Sequence, residues 1–310
     1  MGHRELASRD DLLFAGAQAV ISIVILTFND EVQIANCLDS IADLTDDVVV
    51  VDSFSTDRTL EICRSYGARV YQHEFVNQAH QFNWALDNIP LKYDWVLRLD
   101  SDEVVPEPLR EEIRRRVGSE PEIAAYAMNR RVYWMGRWLR HGRMYPHYIV
   151  RLFRKGRARY ELRTEEHLVV DGPVARLTND FYEDNRKNNL DYFTMKHLAT
   201  ARGELEEILR ARAGQQDDFA IEPNLFGTKI ERTRWLKERL YLRMPLFVRP
   251  FLYFVYRYII CLGFLDGRPG LIWHVLQGFW YRFYIDAKVY EEELARRAMA
   301  AGSRKAKEVR

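Results

Sequence analysis

The chain has 310 residues, 47% hydrophobic and 29% charged, which suits one large domain or a domain with an appendage. Lys+Arg 46 against Asp+Glu 45 leaves a formal net charge of +1, so a generic nucleic-acid binder is excluded and no nucleic-acid partner is expected. Cys37, Cys63 and Cys261 are far apart and odd in number. They make neither a disulfide framework nor metal-ligand spacing, and they point to a reducing compartment.

Residues 1–18 read as a leader. No signal peptide is expected, because the apolar run Val20 to Phe28 is short and lacks a basic flank. Val20 to Thr27 is β-branched and almost wholly apolar, as a central parallel strand should be. Ile34, Leu38 and Ile41 then recur at helical spacing. Asp47 to Asp52 reads as a second buried strand, followed by a polar turn that can cap a helix from Arg58 to Tyr66. Gly67 closes that helix, Ala68 to Tyr71 is a short strand, and Gln78 to Asp87 is a helix. Strand and helix alternating at this spacing predict an α/β fold with right-handed crossovers and a mostly parallel sheet.

The next strand, Trp95 to Leu99, runs into Asp100-Ser101-Asp102-Glu103. If extended geometry continues, Asp100 and Asp102 point to one side, roughly 6–7 Å apart. That spacing suits a shared hard cation, Mg²⁺ or Mn²⁺, which takes carboxylates, waters and phosphate oxygens. The carboxyl ends of strands are also where ligands bind in open α/β sheets. Thr27 and Asn29 after the first strand and Asp52 after the second would line the same edge, with Asp52 accepting from a base or ribose or merely capping a helix. Neither a G-x-G-x-x-G nor a Walker lysine loop is present.

The patterns S-I-V-I-L-T-F-N-D at 22–30, V-V-V-V-D-S-F-S-T-D at 48–57 and D-W-V-L-R-L-D-S-D-E at 94–103 resemble family 2 glycosyltransferases. The resemblance implies a GT-A nucleotide-diphosphosugar-binding fold, Asp52 on the nucleoside, and Asp102 with Asp100 on a metal that bridges the diphosphate. Thr27, Asn29, Asp52, Asn83, Asp100 and Ser101 are then the donor-side candidates. Gln81-Phe82-Asn83 stands where many members have Arg-Asn, so the arginine contact to the nucleotide is not carried over and Asn83 is the weaker candidate there.

Pro106 to Val117 is a surface helix and Ile123 to Asn129 a strand. Arg130 to Arg163 holds eleven Arg/Lys and a single acid, Glu161, with aromatics interleaved. Such a surface can bind nucleic acid by stacking and charge, can equally bind a sugar on its rings and a phosphate or acidic sugar on its arginines, or is a solvated face with half-buried aromatics. The phrase G-R-W-L-R-H-G-R-M-Y-P-H-Y-I-V-R-L-F-R-K-G at 136–156 resembles lipopolysaccharide-core β-1,4-glucosyltransferases, which implies an acceptor loop over 130–163 with Trp138, Arg140, His141, Arg143 and Tyr145 as contacts. Relatives carry a His-Glu-His-like stretch where this chain has Glu165-Glu166-His167. An inverting transfer needs a base opposite the leaving diphosphate. Glu166 is assigned to it, with Glu165 as the register alternative, and His167 orients the site or ligates the metal.

Asn185 to Arg212 shows a helical pattern broken near Gly203, and Gln215 to Gly227 reads as loop. Met244 to Leu265 and Gly270 to Tyr281 are dense in apolar and aromatic residues, yet neither offers the ~18–20 clean apolar residues of a spanning helix. Tryptophan, tyrosine and arginine mixed with leucine suit a membrane interface, and a helical pair packed on the catalytic domain is the plainer reading. The block at 264–288 also resembles the lipopolysaccharide-core relatives. The expected organisation is a leader at 1–18, a catalytic domain at 19–180, a helical extension and loop at 181–227, an amphipathic helical region at 228–294 and a charged tail at 295–310. The expected activity is an inverting, metal-dependent hexosyl transfer from a nucleotide-sugar, a UDP-sugar first, to a lipid-linked or lipopolysaccharide acceptor at the cytoplasmic face of the inner membrane. The alternatives are a glycosyltransferase acting on a polyprenyl-linked exopolysaccharide intermediate and a non-catalytic carbohydrate- or membrane-binding protein. A glycoside hydrolase fits poorly, because its two carboxylates flank a cleft rather than share one loop.

Overall fold

The computed structural model describes residues 20–161, 168–187, 189–212, 224–227 and 229–308. The chain divides into two compact units. The first comprises residues through Arg140 together with Met144–Asn189, and the second comprises His141–Arg143 and the chain from Leu190 onward.

In the first unit, β1 (Ile21–Thr27), β2 (Val48–Asp52), β3 (Arg69–Gln72) and β4 (Trp95–Asp100) pair in parallel in the order β3-β2-β1-β4. The helices between them are α1 (Ile34–Asp39), α2 (Thr59–Ser65) and α3 (Gln78–Asn88). Side chains alternate across the sheet, so Ile21, Ile23 and Ile25 join Cys37, Leu38 and Cys63 on one face. Val24 and Leu26 join Ala79, Phe82 and Ala85 on the other. Burial on both faces is why these strands are nearly all apolar.

Beyond β4 the sheet is mixed. After β5 (Glu103–Val104) and α4 (Glu107–Arg116), β6 (Ala125–Trp134) turns through Met135 and Gly136, both at positive φ, into β7 (Arg137–Leu139). That two-residue reversal matches a strand-twisted hairpin. β8 (Tyr148–Arg154) is inserted between β4 and β6, antiparallel to both, while β11 (Val174–Glu183) runs parallel to β6. β9 (Ala158–Tyr160) and β10 (Leu168–Val170) form a separate pair. The α/β expectation holds, but the sheet is half antiparallel rather than mostly parallel. The stretch 130–163, expected as a loop, supplies β7, β8, β9 and the end of β6.

β11 carries an irregularity between Arg176 and Asp180, which leaves Thr178 and Asn179 out of the ladder. Glu112 of α4, 5% exposed, accepts from both backbone nitrogens, at 2.8 and 2.9 Å, and from the Thr178 hydroxyl and the Asn179 amide. Burial raises its carboxyl, but these four donors outweigh that and hold it below the usual glutamate range. The stabilisation is therefore complete above the ordinary glutamate pKa and is lost as pH falls through the lower folded value. Glu112→Ala is expected to cost about 2–3 kcal/mol in urea unfolding at pH 7, because it orphans buried donors. The difference from the parent should shrink toward pH 3, and a pH-independent difference would contradict this account.

In the second unit, α5 (Leu190–Arg212) runs unbroken through Gly203, contrary to the expected interruption. α6 (Lys229–Trp235) leads through short π and 3₁₀ turns to α7 (Val248–Val255), which continues as a π turn to Ile260. Leu262, at φ 60°, reverses the backbone. A 3₁₀ turn (Gly263–Asp266), α8 (Gly267–Trp273), a wide π segment (His274–Trp280) and α9 (Tyr281–Glu308) follow. Ala201 and Leu205 of α5 pack on Tyr281, Ile285 and Val289 of α9. Arg249 and Asp286, each 1% exposed, form a buried ion pair beside that core.

Candidate active site

The loops after β1 and β2 are tied to each other by polar groups. Asn29 sits at φ 51°, a conformation asparagine tolerates, and its Oδ1 accepts from Thr56 N at 2.7 Å while its own N donates to the Ser55 hydroxyl. Thr27 donates to Asp30 Oδ2 at 2.7 Å. Asp30 also binds Gln33 and the Lys187 ammonium, the latter at 2.7 Å, and Lys187 reaches the carbonyls of Phe28 and Asn29 as well. Asp52 is fully buried, and its carboxylate accepts from Ser55 N at 2.9 Å, the Ser55 hydroxyl and Gln72 Nε2. These bonds are the turn-capping role. They take two acceptor sites on Oδ2 and one on Oδ1 of the carboxylate.

The acidic cluster differs from the expected same-side pair. β4 ends at Asp100, and Ser101-Asp102 form a turn rather than extended chain. The cause is Glu103, 1% exposed, whose Oε2 accepts from Asp100 N at 2.9 Å. Asp100 places one oxygen 3.1 Å from Arg98 and the other 2.8 Å from Arg151, and Arg151 also bonds Glu103. Burial pushes the Glu103 carboxyl up to about 7, with Arg151 pulling the other way. Both arginines are almost fully buried. Asp100 is thus the anion of a structural network rather than a partner for Asp102. Ser101, also buried, accepts from Gln33 at 3.2 Å.

Asp102 bonds the chain that follows β11. Its Oδ2 accepts from Asn185 Nδ2 at 2.7 Å, and its carbonyl accepts from Asp184 N. A carboxylate oxygen can only accept here, so the Asn185 amide orientation is fixed and its Oδ1 is the remaining acceptor. That Oδ1 is buried and has no hydrogen-bond partner. A buried carbonyl oxygen without a donor, beside a carboxylate, fits a hard divalent cation. Among the described residues no three His, Cys, Asp or Glu side chains converge as a metal cage. The donor set therefore suits a cation that takes few protein ligands and completes its shell with water and phosphate.

Asn83 is buried and grips Tyr160 through both amide atoms, donating to its carbonyl at 2.9 Å and accepting from its N at 3.0 Å. It clamps α3 to β9. Trp138, Arg140 and Tyr145 do come together. The Arg131 and Arg140 guanidinium groups each lie 4.6 Å from the Trp138 ring, and Tyr145 meets its edge and donates to Asp180 at 3.0 Å. His141 and Arg143 belong to the second unit, where His141 bonds Asp266 and Arg143 bonds the Tyr256 hydroxyl. Glu165, Glu166 and His167 lie outside the described residues. Sequence reading missed Asp30, Lys187, Asn185 and Arg151. Asn185 and Lys187 fall in the stretch expected as helix, and only the fold brings them to the ends of β4 and β1.

The sequence pattern of glycosyl transferase family 2 matches residues 22–182. The uncharacterized glycosyltransferase RT0209 of Rickettsia typhi is 38% identical over 93 residues, 30% of this chain and 31% of that protein, so the match spans about a third of the relative's length. The lipopolysaccharide core biosynthesis glycosyltransferase LpsC of Rhizobium meliloti is 28% identical over 162 residues, 50% of this chain and 59% of that protein. Among solved structures, a Pyrobaculum calidifontis mannosyltransferase in complex with GDP-Man and Mn²⁺ superposes with TM-score 0.49 at 15% identity, covering 88% of this chain and 87% of that one. The glucosyl-3-phosphoglycerate synthase of Mycobacterium tuberculosis, with Mn²⁺, UDP-Glc and phosphoglyceric acid, superposes with TM-score 0.43 at 20% identity, covering 70% and 87%. The matched stretch runs from β1 into the end of β11 and takes in the loops after β1, β2 and β4, while Asn185 and Lys187 lie just beyond it. With more than half of its length in that pattern, the chain belongs to glycosyl transferase family 2.

Proposed function

We propose that the protein is an inverting, metal-dependent hexosyltransferase. It takes a sugar from a nucleotide-sugar, UDP-hexose first, and delivers it to a lipid-linked saccharide such as lipopolysaccharide core at the cytoplasmic face of the inner membrane. Family membership and the LpsC relative support the donor and acceptor classes. The observation that carries the reading is the strand-edge cluster, with Asp102 and the unbonded Asn185 Oδ1 beside one another. Asp102 and Asn185 would hold the cation, Mg²⁺ or Mn²⁺. When bound, it supplies a Lewis acid for the charge that develops on the leaving diphosphate. Asn29 fixes the loop after β1 to the loop after β2, which keeps the donor edge in one shape.

Glu166, or Glu165 in the neighbouring register, takes the proton from the acceptor hydroxyl as its oxygen attacks the anomeric carbon from the face opposite the diphosphate. Inversion follows from that approach. Glu166→Gln preserves size but not basicity, so turnover should fall ~10²–10⁴-fold with donor affinity almost unchanged. If Glu165→Gln shows the loss instead, the register shifts by one. If neither does, the base is another group.

The test of the whole reading is a donor screen by thermal shift, with a panel of nucleotide-sugars, with and without Mn²⁺ or Mg²⁺. A true donor at a hundred times its dissociation constant adds about 2.7 kcal/mol of stability. No nucleotide-sugar effect with either cation would overturn it and favour a non-catalytic binding protein.

A further inference from the structure

The second unit contains a segment whose polarity is inside out. From Met244 to Tyr281 the formally charged side chains are Arg249, Arg257, Asp266 and Arg268. Three are buried in internal bonds: Arg249 with Asp286, Arg257 with the Gly142 carbonyl and Gln277, and Asp266 with His141. Only Arg268 is exposed. The outer face instead presents Phe251, Leu252, Ile259, Ile260, Leu262 and Phe264, with Ile260 67% exposed. A helical pair packed in water shows the reverse pattern.

The backbone at the bend is closed as well. Val248–Ile260 and Gly263–Met299 meet at 69°. There Cys261 N donates to Tyr256 O at 2.9 Å, Leu262 N to Ile259 O, and Leu265 N to Leu262 O. The Cys261 carbonyl accepts from Gly142 N at 2.8 Å, and the Gly142 carbonyl accepts from Arg257 Nε at 2.8 Å. The two glycines are required by closeness. A Cβ on Gly142 would lie 2.2 Å from the His274 ring, and one on Gly263 would lie 2.6 Å from it. Irregular backbone survives in hydrocarbon only where its polar groups are satisfied by protein, and the His141–Arg143 strap supplies partners at this bend.

We propose that Val248–Trp280 is a re-entrant wedge whose Cys261–Leu262 bend inserts among the acyl chains of one membrane leaflet. The first arm, thirteen residues in Val248–Ile260, is about 20 Å long. A bilayer core is about 30 Å thick, so this arm enters without crossing. A protein partner is the weaker occupant, because protein interfaces surround their apolar centre with a polar rim, and the two exposed arginines here, Arg268 and the Tyr256-bonded Arg143, do not encircle the apolar face. The inference rests on the reading of an enzyme that works at a lipid surface, and it names the element and mode of attachment.

The test is flotation of the full-length protein with vesicles of neutral phosphatidylcholine, and with phosphatidylcholine containing a quarter phosphatidylglycerol, at 0.1 and 1 M NaCl (both conditions chosen to separate burial from charge, roughly ten- versus three-ångström screening). Binding to neutral vesicles that survives high salt is expected. Phe251→Glu/Ile260→Glu should lower the bound-to-free ratio at least about tenfold, since a charge in hydrocarbon is expensive. Cys37 and Cys63 are fully buried and Cys261 is half-buried, so a thiol-reactive fluorophore reports from the bend without any substitution. Its emission should be quenched by brominated acyl chains. Absent quenching overturns the wedge even if the double variant fails to fold. Binding only to anionic vesicles, lost at high salt and equal in the double variant, overturns the wedge while leaving attachment at a lipid surface intact. No vesicle binding, with a dimer that the double variant converts to monomer, overturns both and assigns the face to a second copy of the chain.

Discussion

Arg151→Leu is expected to destabilise the first unit by about 3–5 kcal/mol, the scale of removing one partner from a buried ion pair. Against a total of about 5–15 kcal/mol for a typical domain, that is a large share. The size follows from burial. Glu103 is 1% exposed and Arg151 is nearly as deep, so the Glu103 carboxyl left behind cannot recover the lost interaction from water. Asp100, at 24% side-chain exposure, can do so in part, and it keeps Arg98. The loss therefore falls mainly on Glu103. Adding Glu103→Gln removes the stranded charge but keeps an acceptor for Asp100 N, whose bond shapes the turn into Asp102. The double variant should recover much of the loss in urea unfolding, giving a coupling energy of ~1–3 kcal/mol in the double-mutant cycle. Additive single effects would show that the pair is not the source.

That network also shows where sequence reading stops. The near-continuous apolar runs of β1, β2 and β4 announce a sheet buried on both faces, and the polar residues after each strand announce its functional edge. These signals are local, so they survive without the fold. The partners of the edge residues are not local. Arg151 lies 48 residues from Glu103, and Asn185 lies 83 residues from Asp102. Tyr148 to Arg154 carries two arginines in seven residues and looks like part of a basic loop, yet Leu152 and Phe153 are fully buried and the strand sits between β4 and β6. Arginine is tolerated there because Asp100 and Glu103 meet it from β4 and the turn. The partners of Asn83 were illegible for a related reason. Its helix position matched a nucleotide-contact motif, but the amide spans one backbone N–H and C=O on β9, a pairing that no spacing within α3 reveals. His141 and Arg143 sit in the aromatic, basic stretch by sequence and in the helical unit by structure, where Asp266 and Tyr256 engage them.

Asp102→Asn is expected to lower sugar transfer by about a thousandfold, because several kcal/mol of charge stabilisation near the diphosphate depend on a hard anionic ligand. The substitution keeps the side-chain shape and an oxygen that can accept from Asn185 Nδ2, and the backbone bond from Asp184 N to the Asp102 carbonyl does not involve the side chain. Thermal unfolding without ligand should therefore stay close to the parent. The effect should appear when cation and donor are present together. Nucleotide-diphosphate affinity measured by calorimetry should fall in the variant with Mn²⁺, and the parent and variant should converge in chelator. Asn185→Leu provides the second arm. It removes the unbonded Oδ1 and the amide that steadies Asp102, so it should weaken Mn²⁺-dependent nucleotide binding without changing the chelator baseline. If Asp102→Asn retains full transfer in chelator, the metal-dependent mechanism fails. If only Asn185→Leu is silent, the cation rests on Asp102 with phosphate and water, and the asparagine merely positions the carboxylate.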